Sequence, residues 1–194
     1  GTLGVISKPF TQPGHLTTPD PINLAQTLST LAYKNVHHVA LEMSSHGLVQ
    51  HRLDAIKAKA VGFTSFSQDH LDFHRSMQKY LEGKLTIFNL LDAQGTAVLN
   101  ADMPTFNKVR EAVQGRNIIS YGKSGKDIKI NYVEAELEGQ TASCDIEGVP
   151  YKIRIPLLGR FQLMNIFCAL GLARATIPDI PMNQLVEALS DLKS

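Results

Sequence analysis

Two groupings of chemistry-bearing side chains stand out along the chain. The first is Glu42-Met43-Ser44-Ser45-His46, continuing to Gln50 and Arg52. The second is Ser67-Gln68-Asp69-His70-Leu71-Asp72-Phe73-His74. Each follows a short apolar run, Val36–Met43 and Ala60–Phe66. In an open parallel sheet, ligands bind at the carboxyl ends of the strands, so two such ends place both groupings on one edge. Carboxylates, imidazoles and hydroxyls gathered there can hold a divalent cation and an anionic substrate. Taken singly, a Ser or Asp at a strand end does no more than cap the next helix.

Lys84 is the most informative single residue. The pattern Met77, Leu81, Phe88, Leu91 predicts an apolar helix stripe over Met77–Leu91, and Lys84 falls in the slot between Leu81 and Phe88. A lysine there either snorkels, packing its methylenes and extending its ammonium to water, or loses solvent and has its pKa drawn down from about 10.4. A neutral lysine amine can take up carbon dioxide and become a carbamate, which offers oxygen ligands to a metal. Thr17 and Thr18 precede Pro19 in a loop and could donate hydroxyls to a ligand or form a turn. Gln162 and Asn165, in Gly159-Arg160-Phe161-Gln162-Leu163-Met164-Asn165, could read a base edge or cap a helix. No phosphate-cradling loop is present: Gly83-Lys84 runs into Leu85, and Gly122-Lys123-Ser124 has Asn117 where the leading glycine belongs.

The elements that must position these residues are those of an α/β protein. The 194 residues carry a net charge of +1, with 43% hydrophobic and 19% charged residues, which excludes a disordered or coiled-coil chain. So balanced a charge gives no electrostatic pull toward nucleic acid or an anionic membrane. No apolar run approaches the roughly 20 residues that cross a bilayer. Cys144 and Cys168 stand alone in no metal or redox spacing, which fits a reducing cytoplasm. The opening at Gly1 in a turn-like stretch is read as part of a longer protein.

Residues 1–21 read as loop, and Asp20-Pro21 as the head of a helix bearing Leu24, Leu28 and Leu31. Further apolar runs at Thr96–Asn100 and Asn117–Tyr121 alternate with helical patterns at Met77–Leu91 and Thr105–Val113. From Ile128 to Pro156 apolar and polar residues alternate around Glu138-Gly139 and Glu147-Gly148 turns, and helices follow at Leu163–Ala175 and Met182–Leu192. The expected fold is α/β: a mostly parallel sheet flanked by helices, with a small antiparallel β extension beside it.

Thr17-Thr18-Pro19, Leu41-Glu42-Met43-Ser44-Ser45-His46-Gly47-Leu48 with Gln50 and Arg52, Ser67 to His74, Gly83-Lys84 and Gly159-Arg160-Phe161-Gln162 with Asn165 occur in one register. Together they resemble the central domain of the Mur ligases, most closely the UDP-N-acetylmuramoyl-tripeptide synthetase (MurE) type, over nearly the whole chain. The Asp-His-Leu-Asp element is shared more widely, including with folylpolyglutamate synthetases.

The resemblance implies a cytoplasmic, ATP- and magnesium-dependent amide ligase of peptidoglycan synthesis. It would join a diamino acid, meso-diaminopimelate or lysine, to UDP-N-acetylmuramoyl-L-alanyl-D-glutamate through an acyl phosphate. It implies Glu42, His70 and a carbamylated Lys84 as metal ligands and catalytic groups. Thr17, Thr18, Ser44, Gln50 and Arg52 would hold the UDP-muramoyl dipeptide, and Asn165, with Gln162, would lie near the adenine. Departures are Gln162 for the usual Asn, Ser65 and Gln68 where Asn and Arg are common, and Gly83 for Ala. The family's phosphate loop would precede Gly1 and its C-terminal domain would follow Ser194, so all 194 residues would be central domain and, alone, catalytically silent. Alternative readings are a folylpolyglutamate synthetase-like ligase, a metallohydrolase built on Asp69, His70, Asp72 and His74, and a non-catalytic binding domain.

Overall fold

At the head of α1 (Pro21–Tyr33), Asp20 Oδ1 accepts the backbone N–H groups of Ile22 at 3.1 Å and Asn23 at 3.0 Å. Pro21 occupies the first turn, where its missing N–H would have had no helical partner. The bond from Asn23 is the main reason that the Asp20 carboxyl sits below its ordinary range. The computed structural model describes residues 1–192 in two units, Gly1–Lys57 with Gln68–Leu90, and Ala58–Ser67 with Leu91 onward.

The first unit is mostly short helices. After a two-stranded antiparallel ribbon, β1 (Val5–Ile6) and β2 (Thr11–Gln12), come α1, α2 (Ser45–Val49), α3 (Leu71–His74) and α4 (Met77–Leu85). The last helix tightens into a 3₁₀ turn over Thr86–Leu90. Leu24, Leu48, Leu53 and Leu90 form its core, with Leu28, Leu41, Met43, Ile56 and Ile87 against them.

The second unit is a six-stranded sheet in the order β3-β4-β5-β6-β7-β8. Its strands are β3 (Ala58–Phe63), β4 (Leu91–Asn100), β5 (Asn117–Gly122), β6 (Ile128–Glu136), β7 (Gly139–Ile146) and β8 (Val149–Ile155). The pairs from β3 to β6 are parallel, and those from β6 to β8 antiparallel. Helix α5 (Phe106–Ala112) links β4 to β5. Helix α6 (Arg160–Thr176) packs against β3, β4 and β5, and α7 (Met182–Ser190) against β8. Their core includes Val98, Ile130, Ile153, Phe167 and Leu170. Gly62 lets α6 approach β3: a Cβ there would stand 2.5 Å from Cys168 Sγ.

The α/β architecture is as expected, with four differences. Residues 36–43 are not a strand, because a strand is defined by its ladder and this segment pairs with none of the described residues. The antiparallel strands are a continuation of the main sheet, joined to it where Tyr121 and Gly122 pair with Ile128 and Lys129. The opening stretch contains the β1–β2 ribbon. The helix from Met77 stops at Leu85, and β4 already begins at Leu91.

Candidate active site

Thr18 organises the first polar grouping. It is 1% exposed; its hydroxyl donates to the Glu42 carbonyl at 3.1 Å and accepts the Ser44 N–H at 2.8 Å. Ser44 in turn caps α2, its Oγ accepting the Gly47 N–H at 3.1 Å. The 36–43 segment is thus fastened at its end by a side chain, and this fastening presents Glu42. The exposed Glu42 carboxylate accepts from Thr2 twice, N–H at 3.1 Å and hydroxyl at 3.2 Å, both on Oε2. Because the Thr2 hydroxyl proton is spent there, the Thr17 hydroxyl is the donor in the 3.1 Å Thr17–Thr2 contact. Arg52 donates through Nη1 to the Thr18 carbonyl at 3.0 Å and through Nη2 to Gln50 Oε1. Among the described residues two of its five N–H groups are used in this way, and the others can serve an anion. Thr17, Thr18, Glu42, Ser44, Gln50 and Arg52 therefore form one hydrogen-bonded constellation with Thr2.

The second grouping surrounds Lys84. His70 has φ 51, a left-handed conformation that a residue with a Cβ holds at some cost, and Asp69 Oδ1 accepts its backbone N–H at 2.8 Å. Asp69 Oδ2 lies 3.4 Å from His70 Nε2. The His70 ring meets His46 edge-on at 4.8 Å and Tyr80 at 6.2 Å. Lys84 is half-buried, with Nζ 5.6 Å from the centre of the Tyr80 ring, within cation–π range. Burial lowers its pKa from the ordinary lysine value, and the Asp69 carboxylate pulls the other way. Lys84 is therefore neither fully exposed nor fully enclosed, and burial favours its neutral form.

His74 is buried, with Nε2 2.9 Å from Ser45 Oγ. Its pKa is depressed, chiefly by burial and then by the charges of His46 and His70. Of the expected metal groups, His70 and Lys84 both lie near the Tyr80 ring, and Glu42 accepts hydrogen bonds from Thr2. Among the described residues no three His, Cys, Asp or Glu side chains, those of Asp69, His70, Asp72 and His74 included, are disposed to hold a metal. Gln162 and Asn165 belong to the second unit, both exposed on one face of α6.

Thr2 and Tyr80 did not emerge as site residues from the sequence, and Ser45 and His74 did so only in their separate groupings, not as the pair they form. Tyr80 could have been found, since it stands one helical turn before Lys84. Thr2 carries no sequence signal. Among the described residues no helix is long and apolar enough to cross a membrane.

Comparison with known proteins places the chain in a family. The chain is 42% identical over 192 residues to a UDP-N-acetylmuramoyl-L-alanyl-D-glutamate–2,6-diaminopimelate ligase of Anaplasma marginale (strain St. Maries), covering 95% of this chain and 41% of that protein. It is 43% identical over 196 residues to the protein of the same name from Zymomonas mobilis subsp. mobilis (strain ATCC 31821 / ZM4 / CP4), covering 100% and 40%. A solved structure of a ligase so named superposes with a TM-score of 0.86 at 28% identity, covering all of this chain and 40% of that one. The chain thus spans about 40% of the length of the relatives it matches. Residues 1–173 match the Mur ligase middle domain, and the chain belongs to that family.

Proposed function

We propose that this chain is the central domain of a longer ATP-dependent ligase that joins meso-diaminopimelate to UDP-N-acetylmuramoyl-L-alanyl-D-glutamate in the cytoplasm, a step of peptidoglycan synthesis. The observation that carries the reading is the half-buried Lys84 amine, its pKa lowered, on the same aromatic ring as His70. The names of its relatives, which favour diaminopimelate over lysine, support the choice of substrate.

The chemistry requires a carboxylate to approach a triphosphate, so neutralising charge is the main demand. Magnesium, when bound, would supply that charge. It favours oxygen ligands and usually retains water and phosphate oxygens beside one or two protein groups. The exposed Glu42 carboxylate, His70 and a carbamate on Lys84 are the groups that would supply the protein's share of such a shell. The chain's own residues do the holding. Thr18 fixes the Glu42 segment, Thr17 bonds the Thr2 hydroxyl that donates to Glu42, Ser44 caps α2, and Arg52, with Gln50 against it, offers its remaining N–H groups to an anionic part of the substrate. Gln162 and Asn165 would face the nucleotide base from α6. A lowered lysine pKa enlarges the neutral amine fraction that takes up carbon dioxide.

The test is ADP release by the full-length protein with UDP-N-acetylmuramoyl-L-alanyl-D-glutamate and either meso-diaminopimelate or lysine, beside a folate substrate with glutamate. Release that depends on the muramoyl substrate and diaminopimelate is expected. Turnover with the folate pair alone would overturn the reading.

A further inference from the structure

The substrate and metal roles above leave out His74, although it lies at the centre of the aromatic cluster. It is 5% exposed, and it touches both halves of the site through different parts of its ring. Nε2 is 2.9 Å from the hydroxyl of Ser45, the first residue of α2 and the neighbour of the Ser44 cap. Its face lies against Tyr80, with centroids 4.8 Å apart and planes 35° from parallel. Tyr80 in turn lies beneath the Lys84 amine at 5.6 Å. Phe73 and His46 pack around the same imidazole at 4.8 and 5.7 Å. Gly83 lets α4 approach α2, because a Cβ there would stand 2.8 Å from Val49 Cγ2, while its 3.4 Å to His74 Cε1 would be ordinary contact.

The buried imidazole has a polar partner in Ser45 and its most nearly parallel ring partner in Tyr80, and both contacts are directional. Ser45 fixes the rotation of the His74 ring, the ring fixes the plane of Tyr80, and Tyr80 sets the electrostatic floor under Lys84. We infer that His74 is a positioning residue that couples the α2 segment, which bears Ser44 and leads to Gln50 and Arg52, to the environment of the Lys84 amine. Its consequence for ligation rests on the proposed function, but the coupling itself does not. A histidine that merely fills the core would support stability without any selective effect on Lys84, and this difference is measurable.

The experiment is competitive amine modification of the full-length protein with acetic anhydride, read by mass spectrometry as the ratio of Lys84 to exposed Lys79 on the same helix. It compares wild type, Ser45→Ala, His74→Phe and the double variant, with the melting temperature of each. Ser45→Ala removes one hydroxyl remote from the amine and keeps the test valid should His74→Phe fold poorly. The coupling predicts a roughly fivefold change in the Lys84:Lys79 ratio in each single variant, and little further change in the double. An unchanged ratio with a lowered melting temperature would overturn it. A changed ratio in a protein that ligates nothing would uphold the coupling and refute the ligase reading. Ligation with an unchanged ratio would do the reverse.

Discussion

Histidine 74 shows how a single buried side chain makes the first unit sensitive to acid. Burial and the neighbouring imidazoles hold its folded-state pKa below the ordinary 6.5. Above that value both folded and unfolded chains carry it neutral. As the pH falls below 6.5 the unfolded chain binds the proton first, so stability declines until the folded pKa is reached. His74→Gln removes this titration. Denaturant unfolding between pH 7 and 5 is expected to show a shallower acid loss for this variant than for wild type; equal slopes would assign the acid sensitivity elsewhere. At the same scale, the residue types of the site were visible in the sequence but their partners were not. Glu42, His70 and Lys84 are conspicuous by type and spacing, whereas the bonds from Thr2 to Glu42 depend on chain closure across 40 positions.

Elements were legible where a local rule decides them. Asp20-Pro21 marked α1, and Glu147-Gly148, both at positive φ, marked the β7–β8 turn. Where long-range pairing or a competing side chain decides, the pattern was insufficient. Residues 36–43 join no strand ladder among the described residues. Thr86 interrupts the helix from Met77 by donating its hydroxyl to the Gly83 carbonyl at 2.7 Å, which offers the backbone another partner there. Two junctions are open to test. Gly83→Ala pushes a methyl into Val49 and is expected to cost about 1–3 kcal/mol, while adding Val49→Ala recovers most of it. Thermal unfolding of the pair and both singles measures the coupling. In the second unit, Asp127 Oδ2 accepts both the Ser120 N–H and its hydroxyl at 2.7 Å, next to the parallel β5–β6 pairing. Asp127→Ala should cost about 2 kcal/mol in urea unfolding, and Asp127→Asn, which keeps one acceptor, less.

At the scale of the molecule, both cysteines belong to the core of the second unit. They are free and buried, and burial is the main reason that each thiol is pushed up to about 11. A thiol-specific disulfide reagent at pH 8 is expected to find neither until denaturant is added. Rapid reaction of the native protein would show that the sheet core opens. The fold class was readable because alternating strands and helices admit few arrangements, and the family because its motifs recur in one register. The division into two units was not, since the chain leaves the first unit at Ala58 and returns to it at Gln68.

The most direct test of the ligase account is kcat of the full-length protein with Lys84→Ala, with diaminopimelate and the muramoyl dipeptide as substrates. A group that stabilises charge only as the reaction proceeds should lower kcat by about 10²- to 10³-fold when removed, with KM for the dipeptide little changed. A variant that keeps its rate within about twofold, a loss smaller than one hydrogen bond is worth, would contradict the account.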